Sequence, residues 1–365
     1  MRRRLLDLIV CPRCHCALDL RAYTSDGRGS AEEEVLDGLL RCGSCSGEFP
    51  VIGGVPRLLE PRLLRRMAPR YPEYFRAHPR LLGDDDGDEH VLADTLESFT
   101  RQRLDLPPPG PALVAQWHRN FRRYVDGTIG EGALRGKLVL DVGCGFGRHM
   151  YVAGLEGAEV VGVDLSGGVD RAYAVNRRRT RCHVVQANVL DRPFRDGVFD
   201  VVWSFGVLHH MPDPAAGFRA IVPFARPDGG TVVVWVYGYA GMTWSYRLSH
   251  MRALHRVTRR WSGPARARAS TVVAAILSAL YWEPLGAMRR AGLGGIVRRM
   301  PLTDYIDHPW RTRIAGVHDR LSTPITHFHD LRELSDWCRA AGLQYICVND
   351  TERRGWHASG RRAGA

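Results

Sequence analysis

Two Cys-x-x-Cys pairs stand within the first 45 residues of the chain. Each pair can supply two thiolates from one tight turn, and four thiolates form the ligand set of a tetrahedral structural zinc. The interval between the pairs contains an Asp-Gly turn flanked by apolar residues at 35–40, as expected of a hairpin. The spacing therefore predicts a structural zinc site. Its predicted ligands are Cys11, Cys14, Cys42 and Cys45.

Two other uses of these thiols remain open. A disulfide pair would require an oxidising compartment, to which nothing else in the sequence points. Two thiol redox motifs would each have to follow a strand and open a helix, and neither pair does so. Cys16 offers a competing ligand in place of Cys14, although its spacing is poorer.

A second group of residues with chemical potential follows a short apolar strand at 139–142. The glycine-rich turn at 143–147 lets a ligand approach the backbone closely, and Asp141 just before it is placed to receive a ligand cation. Asp164 ends the next predicted strand, where an acid can hold ribose hydroxyls. The turn reads G-x-G-x-G rather than G-x-G-x-x-G. This form favours an adenosine-containing ligand with an ammonium and a sulfonium over a dinucleotide.

These residues need a scaffold that brings strand ends together. Short apolar runs alternate with helical stretches, which predicts a parallel sheet covered on both faces. Two further runs near the C-terminus follow a predicted helix at 330–338 and could add edge strands. The predicted strands are 139–142, 160–164, 183–185, 199–203, 230–236, 343–348 and 355–360.

The ordered motifs of this region resemble those of class I S-adenosylmethionine (SAM)-dependent methyltransferases. The resemblance is strong over 112–240 and weaker over 326–362. It implies an α/β fold with a Rossmann-like seven-stranded methyltransferase sheet, and SAM as the methyl donor. The segments that carry it are 137–149, 161–166, 202–213 and 227–230.

The same resemblance implies a role for individual residues. Asp141 would lie near the ammonium of the methionine end, and Asp164 would accept both ribose hydroxyls. Leu165 would pack on the adenine, and the Val189 N–H would meet an adenine ring nitrogen. Asn188 stands where the family usually has an aspartate, and its carbonyl can accept from the adenine amino group equally well. The implied cofactor-binding residues are Asp141, Gly143, Cys144, Gly145, Asp164, Leu165, Asn188, Val189, Phe205 and His210.

Methyl transfer in line from sulfur needs mainly positioning and exclusion of water. A general base is needed only where the acceptor begins protonated with a pKa well above 7. His209, His210 and His327 are the predicted catalytic residues, and His329 and Tyr237 are further candidates. A structural role is an equally good interpretation of the first two, since they follow a strand end.

The first 60 residues resemble the small Trm112-like zinc ribbon. The segments that carry this resemblance are 5–12, 40–42 and 49–56. In that family the ribbon is structural or serves as an adaptor, so the resemblance adds no chemistry. A ribbon at 1–60 and a connector at 61–111, whose acidic run 84–89 is expected to be a solvated loop, would precede the core. The later predicted regions are the SAM-binding core 112–238, a helical cap insertion 239–326 that shapes an acceptor pocket, and the C-terminal helix and edge strands 327–365.

The charge distribution bears on the partner. The net charge of +12 comes from 51 basic and 39 acidic residues, and residues 231–365 alone contribute +11. Because nucleic acids bind positive charge, this excess leaves an RNA methyltransferase as an alternative. The predicted ribbon argues against it, since it lies in the first hundred residues, whose net charge is negative. No run approaches the roughly 20 apolar residues of a bilayer span, and the longest, 271–282, is expected to be a buried helix. Asp7 and the first cysteine pair argue against an export signal, so a cytoplasmic protein is expected.

Together these features predict a SAM-dependent methyltransferase that modifies an O, N or C atom of a small molecule, in bacterial secondary or cell-surface metabolism. The RNA methyltransferase is the first alternative. A non-catalytic adaptor that retains SAM binding is the second, and the intact acids and glycines of the turn argue against it. The oligomeric state cannot be inferred from the sequence.

Overall fold

The computed structural model describes residues 1–27, 33–83, 100, 109–178, 181–238, 257–258, 261, 263–298, 300, 302–322, 325–350 and 355–364. The acidic run at 84–89 and the beginning of the predicted insertion, 239–256, lie outside the described residues. The chain forms two compact units. The first comprises Met1–Gly241 together with Ile325–Ala365, and the second is Met242–Pro324.

The described part of the first unit contains one sheet of eleven strands. Their spatial order is β1-β2-β3-β4-β7-β6-β5-β8-β9-β11-β10. The strands are β1 Leu18–Asp26, β2 Glu34–Cys42, β3 Glu48–Ile52, β4 Val55–Leu58, β5 Leu138–Val142, β6 Glu159–Asp164, β7 Cys182–Ala187, β8 Val201–Phe205, β9 Thr231–Tyr237, β10 Leu343–Asp350 and β11 Gly355–Arg362.

Strands β5 to β9 run parallel to one another, whereas β11 and β10 close one edge as antiparallel strands. The parallel strands are rich in valine and nearly all buried, as required where helices cover both faces. Successive residues of β5 point to opposite faces, so Leu140 joins one hydrophobic cluster and Val139 the other. The predicted α/β class is thus confirmed, and the predicted parallel pairing holds for the central strands of a sheet that is mixed overall.

The strand count differs from the predicted seven, because the N-terminal strands continue the same sheet. Strand β4 pairs in parallel with β7, with Arg57 opposite Gln186 and Leu58 opposite Ala187. All four residues of β4 are buried, and β7 would otherwise be left with an unpaired edge. The N-terminal strands therefore cover one edge of the central sheet and do not form a separate body.

Helices cover both faces of the sheet in the first unit. Helix α3 packs Trp117 and Phe121 against the cluster that contains Val139, and α11 packs Leu334 and Cys338 against the opposite cluster. Asp330 caps α11 by accepting from the Glu333 N–H. The helices are α1 Pro61–Met67, α2 Pro72–Ala77, α3 Pro111–Val125, α4 Arg148–Leu155, α5 Val169–Asn176, α6 Pro214–Ile221 and, after the second unit, α11 Leu331–Ala340.

The described residues of the second unit are almost entirely helical. The buried side chains of Ala274 and Trp282 pack against Val317 and Leu321. Its helices are α7 Gly263–Leu277, α8 Glu283–Met288, α9 Gly294–Val297 and α10 Trp310–Ser322, and wide π turns at Ser278–Trp282 and Arg289–Leu293 join the first three.

The predicted buried helix at 271–282 is helical but not buried along its whole length. Val272, Ile276 and Leu280 are 58%, 52% and 76% exposed, because helix α10 covers only the opposite side. From the sequence we expect no segment long and apolar enough to span a membrane, but one helical stretch is so by length and composition alone. This stretch, Pro264–Val297, has 34 residues, bends at Gly292, and has a mean hydropathy of 1.3 over its most apolar 18-residue window, of which 22% is buried.

Candidate ligand site at the carboxyl ends of the parallel strands

The glycine-rich turn leaves β5 and lies against the end of β6. The N–H groups of Gly143 and Cys144 both donate to the Val163 carbonyl, at 2.7 and 3.0 Å. Gly143 has a φ of +76°, and a Cβ there would lie 2.2 Å from the Cγ2 atom of Val207. Only glycine satisfies both conditions. A glycine turn of this kind at the end of a parallel strand can let a ligand approach the backbone closely.

Asp164 ends β6 and faces this turn. One carboxylate oxygen accepts from the Gly145 N–H at 2.8 Å, and the other accepts from the backbone N–H and the hydroxyl of Ser166 at 2.8 and 2.7 Å. The side chain is half-buried, so its position is fixed by hydrogen bonds while one side stays accessible. A carboxylate held in this way can accept from a pair of ligand hydroxyls.

Asp141 lies within β5 between Gly162 of β6 and Trp203 of β8. It is 2% exposed, and its Oδ2 atom has no hydrogen-bond partner among the described residues. Burial raises the pKa of Asp141 to about 7, although the Trp203 indole N–H and the Arg148 charge favour the ionised form. A buried carboxyl with an unpartnered oxygen fits a ligand that brings a positive charge.

The predicted adenine side lies next to β7. The Leu165 carbonyl accepts from the Gln186 amide at 3.0 Å, and Val189 is buried in a 3-10 turn. Asn188 caps this turn: its side-chain oxygen accepts from the Leu190 N–H at 3.1 Å, and its amide donates to an oxygen of Asp191 at 3.2 Å. An oxygen has two lone pairs, so this bond leaves capacity for the predicted contact with an amino group.

Aromatic rings pack around Phe205, the last residue of β8. The ring of Tyr124 in α3 stacks on Phe205 with centroids 5.0 Å apart, and lies 5.2 Å from the ring of Trp235. His149 meets Phe205 edge to face, and burial lowers the pKa of His149 well below its usual value. Tyr124, Trp235 and His149 are not among the predicted site residues. The amphipathic pattern of α3 could have signalled a buried face, but not which strand it covers.

Two of the predicted catalytic histidines follow β8. His209 is fully buried and stacks on Tyr237, and its Nδ1 atom accepts from the Tyr237 N–H at 3.3 Å. Burial, together with His210 and two further histidines, lowers the pKa of His209 well below its usual value. His210 is half-buried, and its Nδ1–H donates to the Ile325 carbonyl at 2.9 Å. This bond leaves Nε2 as the basic nitrogen of His210.

The remaining histidines reach the same place from the segment before α11. The backbone N–H of His327 donates to the His209 carbonyl at 2.8 Å, and the backbone N–H of His329 donates to the Tyr237 carbonyl at 3.0 Å. Burial lowers the pKa of His329, although Glu333, 2.9 Å from its Nδ1, favours the charged form. The structure therefore brings together all four histidines and Tyr237 of the sequence prediction.

The four predicted metal ligands also converge. All four sulfur atoms lie within 4.8 Å of one another, with Cys11 and Cys45 3.5 Å apart and Cys14 and Cys42 3.4 Å apart. A tetrahedron with Zn–S bonds of about 2.3 Å has sulfur atoms roughly 3.8 Å apart, so the cluster fits zinc. Cys16 is exposed and its thiol reaches the Cys14 carbonyl at 3.6 Å, outside the cluster.

A buried arginine joins the N-terminal strands to the ligand site. Arg57 of β4 is 1% exposed and donates to Gln186 at 2.8 Å, to the Tyr71 hydroxyl at 3.2 Å and to Asp170 at 2.5 Å. Burial raises the pKa of Asp170, but the Arg57 charge and the Tyr71 hydroxyl outweigh it, and the net pKa lies below its usual value. Gln186 also holds the Leu165 carbonyl, so one side chain contacts both regions.

Residues 140–233 match the family described as a methyltransferase domain. The match includes the glycine-rich turn, both acids and the strand that ends at Phe205. The chain therefore carries a methyltransferase domain, as the sequence motifs predict.

Two curated proteins and one solved structure are similar to parts of the chain. The chloroplastic tocopherol O-methyltransferase of Arabidopsis thaliana is 36% identical over 130 residues, which are 34% of this chain and 35% of that protein. The ubiquinone biosynthesis O-methyltransferase of Bordetella bronchiseptica is 35% identical over 115 residues, or 29% and 43% of the two chains. An S-adenosylmethionine dependent methyltransferase from Mesorhizobium loti covers 33% of this chain and 52% of its own, at 29% identity and a TM-score of 0.29. The chain thus spans well under two thirds of the length of each.

Proposed function

We propose that the chain is a SAM-dependent methyltransferase that acts on an oxygen of a small molecule. The observation that carries the proposal is the pair of acids near the carboxyl ends of β5 and β6. Asp164 is held beside the glycine turn with one side accessible, whereas the nearby Asp141 is buried with an unpartnered oxygen. Asp164 suits the two hydroxyls of a ribose, and Asp141 suits a positively charged group. SAM carries both a ribose and an ammonium.

The residues at the strand ends fit this donor. Asp141 and the Gly143 turn would hold the amino acid end, and Asp164 would hold the ribose. Leu165, Asn188 and the Val189 N–H would contact the adenine, which agrees with their position after β6 and β7. The list of proposed donor-binding residues is completed by Cys144, Gly145, Phe205 and His210. SAM supplies an electrophilic methyl group, which leaves the protein to position the acceptor and exclude water.

His210 is the proposed general base for an acceptor hydroxyl. Its Nδ1–H is held by the Ile325 carbonyl, so the imidazole presents the basic Nε2 atom in a fixed orientation. His209 is fully buried and its pKa is lowered, so we assign it a structural role: its ring holds Tyr237 in place. His327 anchors the backbone behind His209 and is the second candidate for proton transfer.

The proposed acceptor is a small molecule with an ionisable hydroxyl. The names of the two curated relatives, tocopherol and ubiquinone biosynthesis O-methyltransferases, support oxygen as the acceptor atom. The half-buried ring of Tyr124, which stacks on the buried Phe205, supports an aromatic or other apolar acceptor, because a partly exposed ring offers flat apolar surface. A role in bacterial secondary or cell-surface metabolism and a cytoplasmic location remain part of this proposal.

Titration calorimetry with S-adenosylhomocysteine tests the donor site. We expect binding by the wild type and an affinity about tenfold or more weaker in Asp164→Ala, since charge-assisted hydrogen bonds to two hydroxyls are lost. Asp196→Ala is the control, because Asp196 is an exposed acid of the same unit that pairs with Arg192. Absence of binding by the wild type would refute the proposal.

A second assay separates the acceptor classes. Methyl transfer from labelled SAM should reach a phenolic or quinol acceptor and not transfer RNA, and His210→Gln should lower kcat more than KM. The positive charge of the C-terminal third supports RNA as the alternative. Transfer to RNA at physiological salt, without transfer to any phenol, would favour that alternative.

The four-thiol cluster is proposed to hold one structural zinc in a Trm112-like ribbon. Its sulfur separations and the hairpins that carry the cysteines support this assignment. The role we propose for this region is structural, because β4 completes an edge of the sheet and Arg57 reaches the site through Gln186.

A further inference from the structure

The helical stretch Pro264–Val297 of the second unit has an apolar face that the described residues leave uncovered. Val272, Ile276 and Leu280 follow one another at intervals of four residues, so they lie along one side of the helix. Their exposed fractions of 58%, 52% and 76% are high for side chains of this type. We refer to these three residues as the apolar stripe.

A second apolar group follows the bend at Gly292, where φ is +88°. Leu293, Ile296 and Met300 are 44%, 53% and 39% exposed. Exposed apolar side chains that occur singly need no explanation, but five within the stretch Pro264–Val297 and a sixth, Met300, just after it indicate an interaction surface.

The charges around the apolar stripe are mostly positive. Arg268 stands one turn before it on the same side, and Arg290 and Arg298 are exposed beyond it. Within the stretch the one acid is Glu283, and its carboxylate lies 2.7 Å from Arg313. Arg289 is likewise paired, with Asp307. Exposed apolar side chains flanked by exposed arginines are complementary to a surface that is apolar inside and negatively charged outside.

We propose that this stretch docks on the surface of a bilayer that contains anionic lipids. The apolar stripe would enter the acyl boundary, and Arg268, Arg290 and Arg298 would lie at the phosphate level. The proposal concerns this surface alone and is independent of the proposed methyl transfer.

The structure favours docking on the surface over crossing the bilayer. The uncharged segment 269–282 has 14 residues and is therefore about 21 Å long, against about 30 Å of hydrocarbon. The side opposite the stripe packs on helix α10 through polar groups. The Ser270 hydroxyl lies 3.0 Å from the His318 ring, and Arg313 is buried beside Glu283. Crossing would take these polar groups into hydrocarbon, whereas surface docking leaves them where they are.

Flotation of the purified 365-residue chain with lipid vesicles tests the proposal. We expect the wild type to bind vesicles of phosphatidylcholine and phosphatidylglycerol, and to bind pure phosphatidylcholine weakly. Raising the salt from about 50 mM to about 500 mM should weaken the binding, because the arginine contribution is screened. In Ile276→Glu/Leu280→Glu we expect binding about tenfold or more weaker, and in Arg290→Ala a loss of about fivefold.

Leu155→Glu is the matched control, because Leu155 is 53% exposed on a helix of the first unit. It should bind vesicles as the wild type does. Circular dichroism and S-adenosylhomocysteine binding check that each variant is folded, and Leu280→Glu alone replaces the double variant if that one is not.

Three results would overturn the proposal. The first is a wild type that does not bind anionic vesicles, or binds neutral ones equally well. The second is a wild type that is dimeric by light scattering and becomes monomeric in Ile276→Glu/Leu280→Glu, since the stripe would then contact a second copy. The third is a protein that alkaline carbonate cannot extract from membranes, which would indicate a span.

Discussion

The four-thiol cluster and the ligand site at the strand ends are both groups of polar side chains, but they are assembled differently. The cluster joins two tight turns whose cysteines are at most 34 residues apart, within one set of hairpins. The ligand site draws on strands β5 to β9, from Asp141 to Tyr237. We therefore expect the stability of the cluster to depend on the proposed zinc, and that of the candidate ligand site to depend on the sheet.

This difference implies different responses to mutation. Loss of a thiol should unfold the local hairpins, and loss of a site residue should spare the fold unless the backbone is strained. The two regions are not isolated, because Arg57 and Gln186 connect β4 to the Leu165 loop. The four predictions below are ordered by their expected effect on stability.

Removal of the metal should have the largest effect. We expect Cys42→Ser to lose about one equivalent of zinc and to expose the amides of β1 to β3 to hydrogen exchange, since a structural zinc contributes about 10 kcal/mol or more to folding. Elemental analysis measures the zinc content, and hydrogen exchange of residues 1–60 measures the exposure of the amides. Cys16→Ser is the control, because its thiol lies outside the cluster. A metal-free wild type with protected strands would contradict the zinc assignment.

Gly143→Ala should cost about 3 kcal/mol in the free energy of unfolding, because a Cβ at a φ of +76° would also lie 2.2 Å from Val207. Denaturant titration measures the loss, and calorimetry should show that S-adenosylhomocysteine binding is lost too. Gly127→Ala separates strain from collision, since Gly127 has a φ of +82° and nothing within 4 Å of the added Cβ. Equal losses in the two variants would mean that the contact with Val207 is unimportant.

Arg57→Met tests the connection between the two regions. We expect a loss of about 2 kcal/mol, because the Gln186 oxygen loses its partner while Asp170 keeps Arg70 and Tyr71. S-adenosylhomocysteine should bind a few-fold more weakly, through a less fixed Leu165 loop. Arg62→Met is the control, because Arg62 is half-exposed and pairs with Glu60. An unchanged affinity in Arg57→Met would show that the regions act independently.

Asp141→Asn should stabilise the protein without ligand by about 1 kcal/mol at pH 8 and weaken ligand binding. The pKa of Asp141 is raised from 3.8 to about 7, so the folded state binds a proton between these values that the unfolded state has released. The ionised form of Asp141 therefore lowers the free energy of unfolding by an increasing amount as the pH rises from 3.8 to about 7. The ligand ammonium needs the ionised form, so wild-type affinity should fall below pH 7, and this dependence should vanish in Asp141→Asn. Thermal melts and calorimetry at pH 5–8 measure both, and Asp196→Asn is the control. A pH-independent affinity of the wild type would contradict the assignment.

Much of the ligand site could be predicted because its residues lie at strand ends. Apolar runs such as that of β6 give the strand, and the residue at its carboxyl end, Asp164, then has a known position. Tyr124 could not be predicted in this way. It lies on α3, far from Phe205 in sequence, and only packing brings the two rings together.

The exposed side of the stretch Pro264–Val297 is a similar case. Its apolar composition predicts a helix with an average preference for burial, but which side is covered depends on a partner helix. Helix α10 covers Ala274 and Trp282 and leaves Ile276 exposed. For this reason the helix predicted at 271–282 is confirmed, whereas its predicted burial is wrong for one side.

The thiol pairs, the glycine turn and the acids near the strand ends could be predicted from the sequence alone. They are local features, because tight turns and strand periodicity extend over few residues. The extension of the sheet by β4, the bond from Arg57 to Gln186 and the unpartnered oxygen of Asp141 follow only from the three-dimensional fold. Each depends on burial and on contacts between distant segments. Hydrophobic patterning favours burial of a face but does not specify what will cover it.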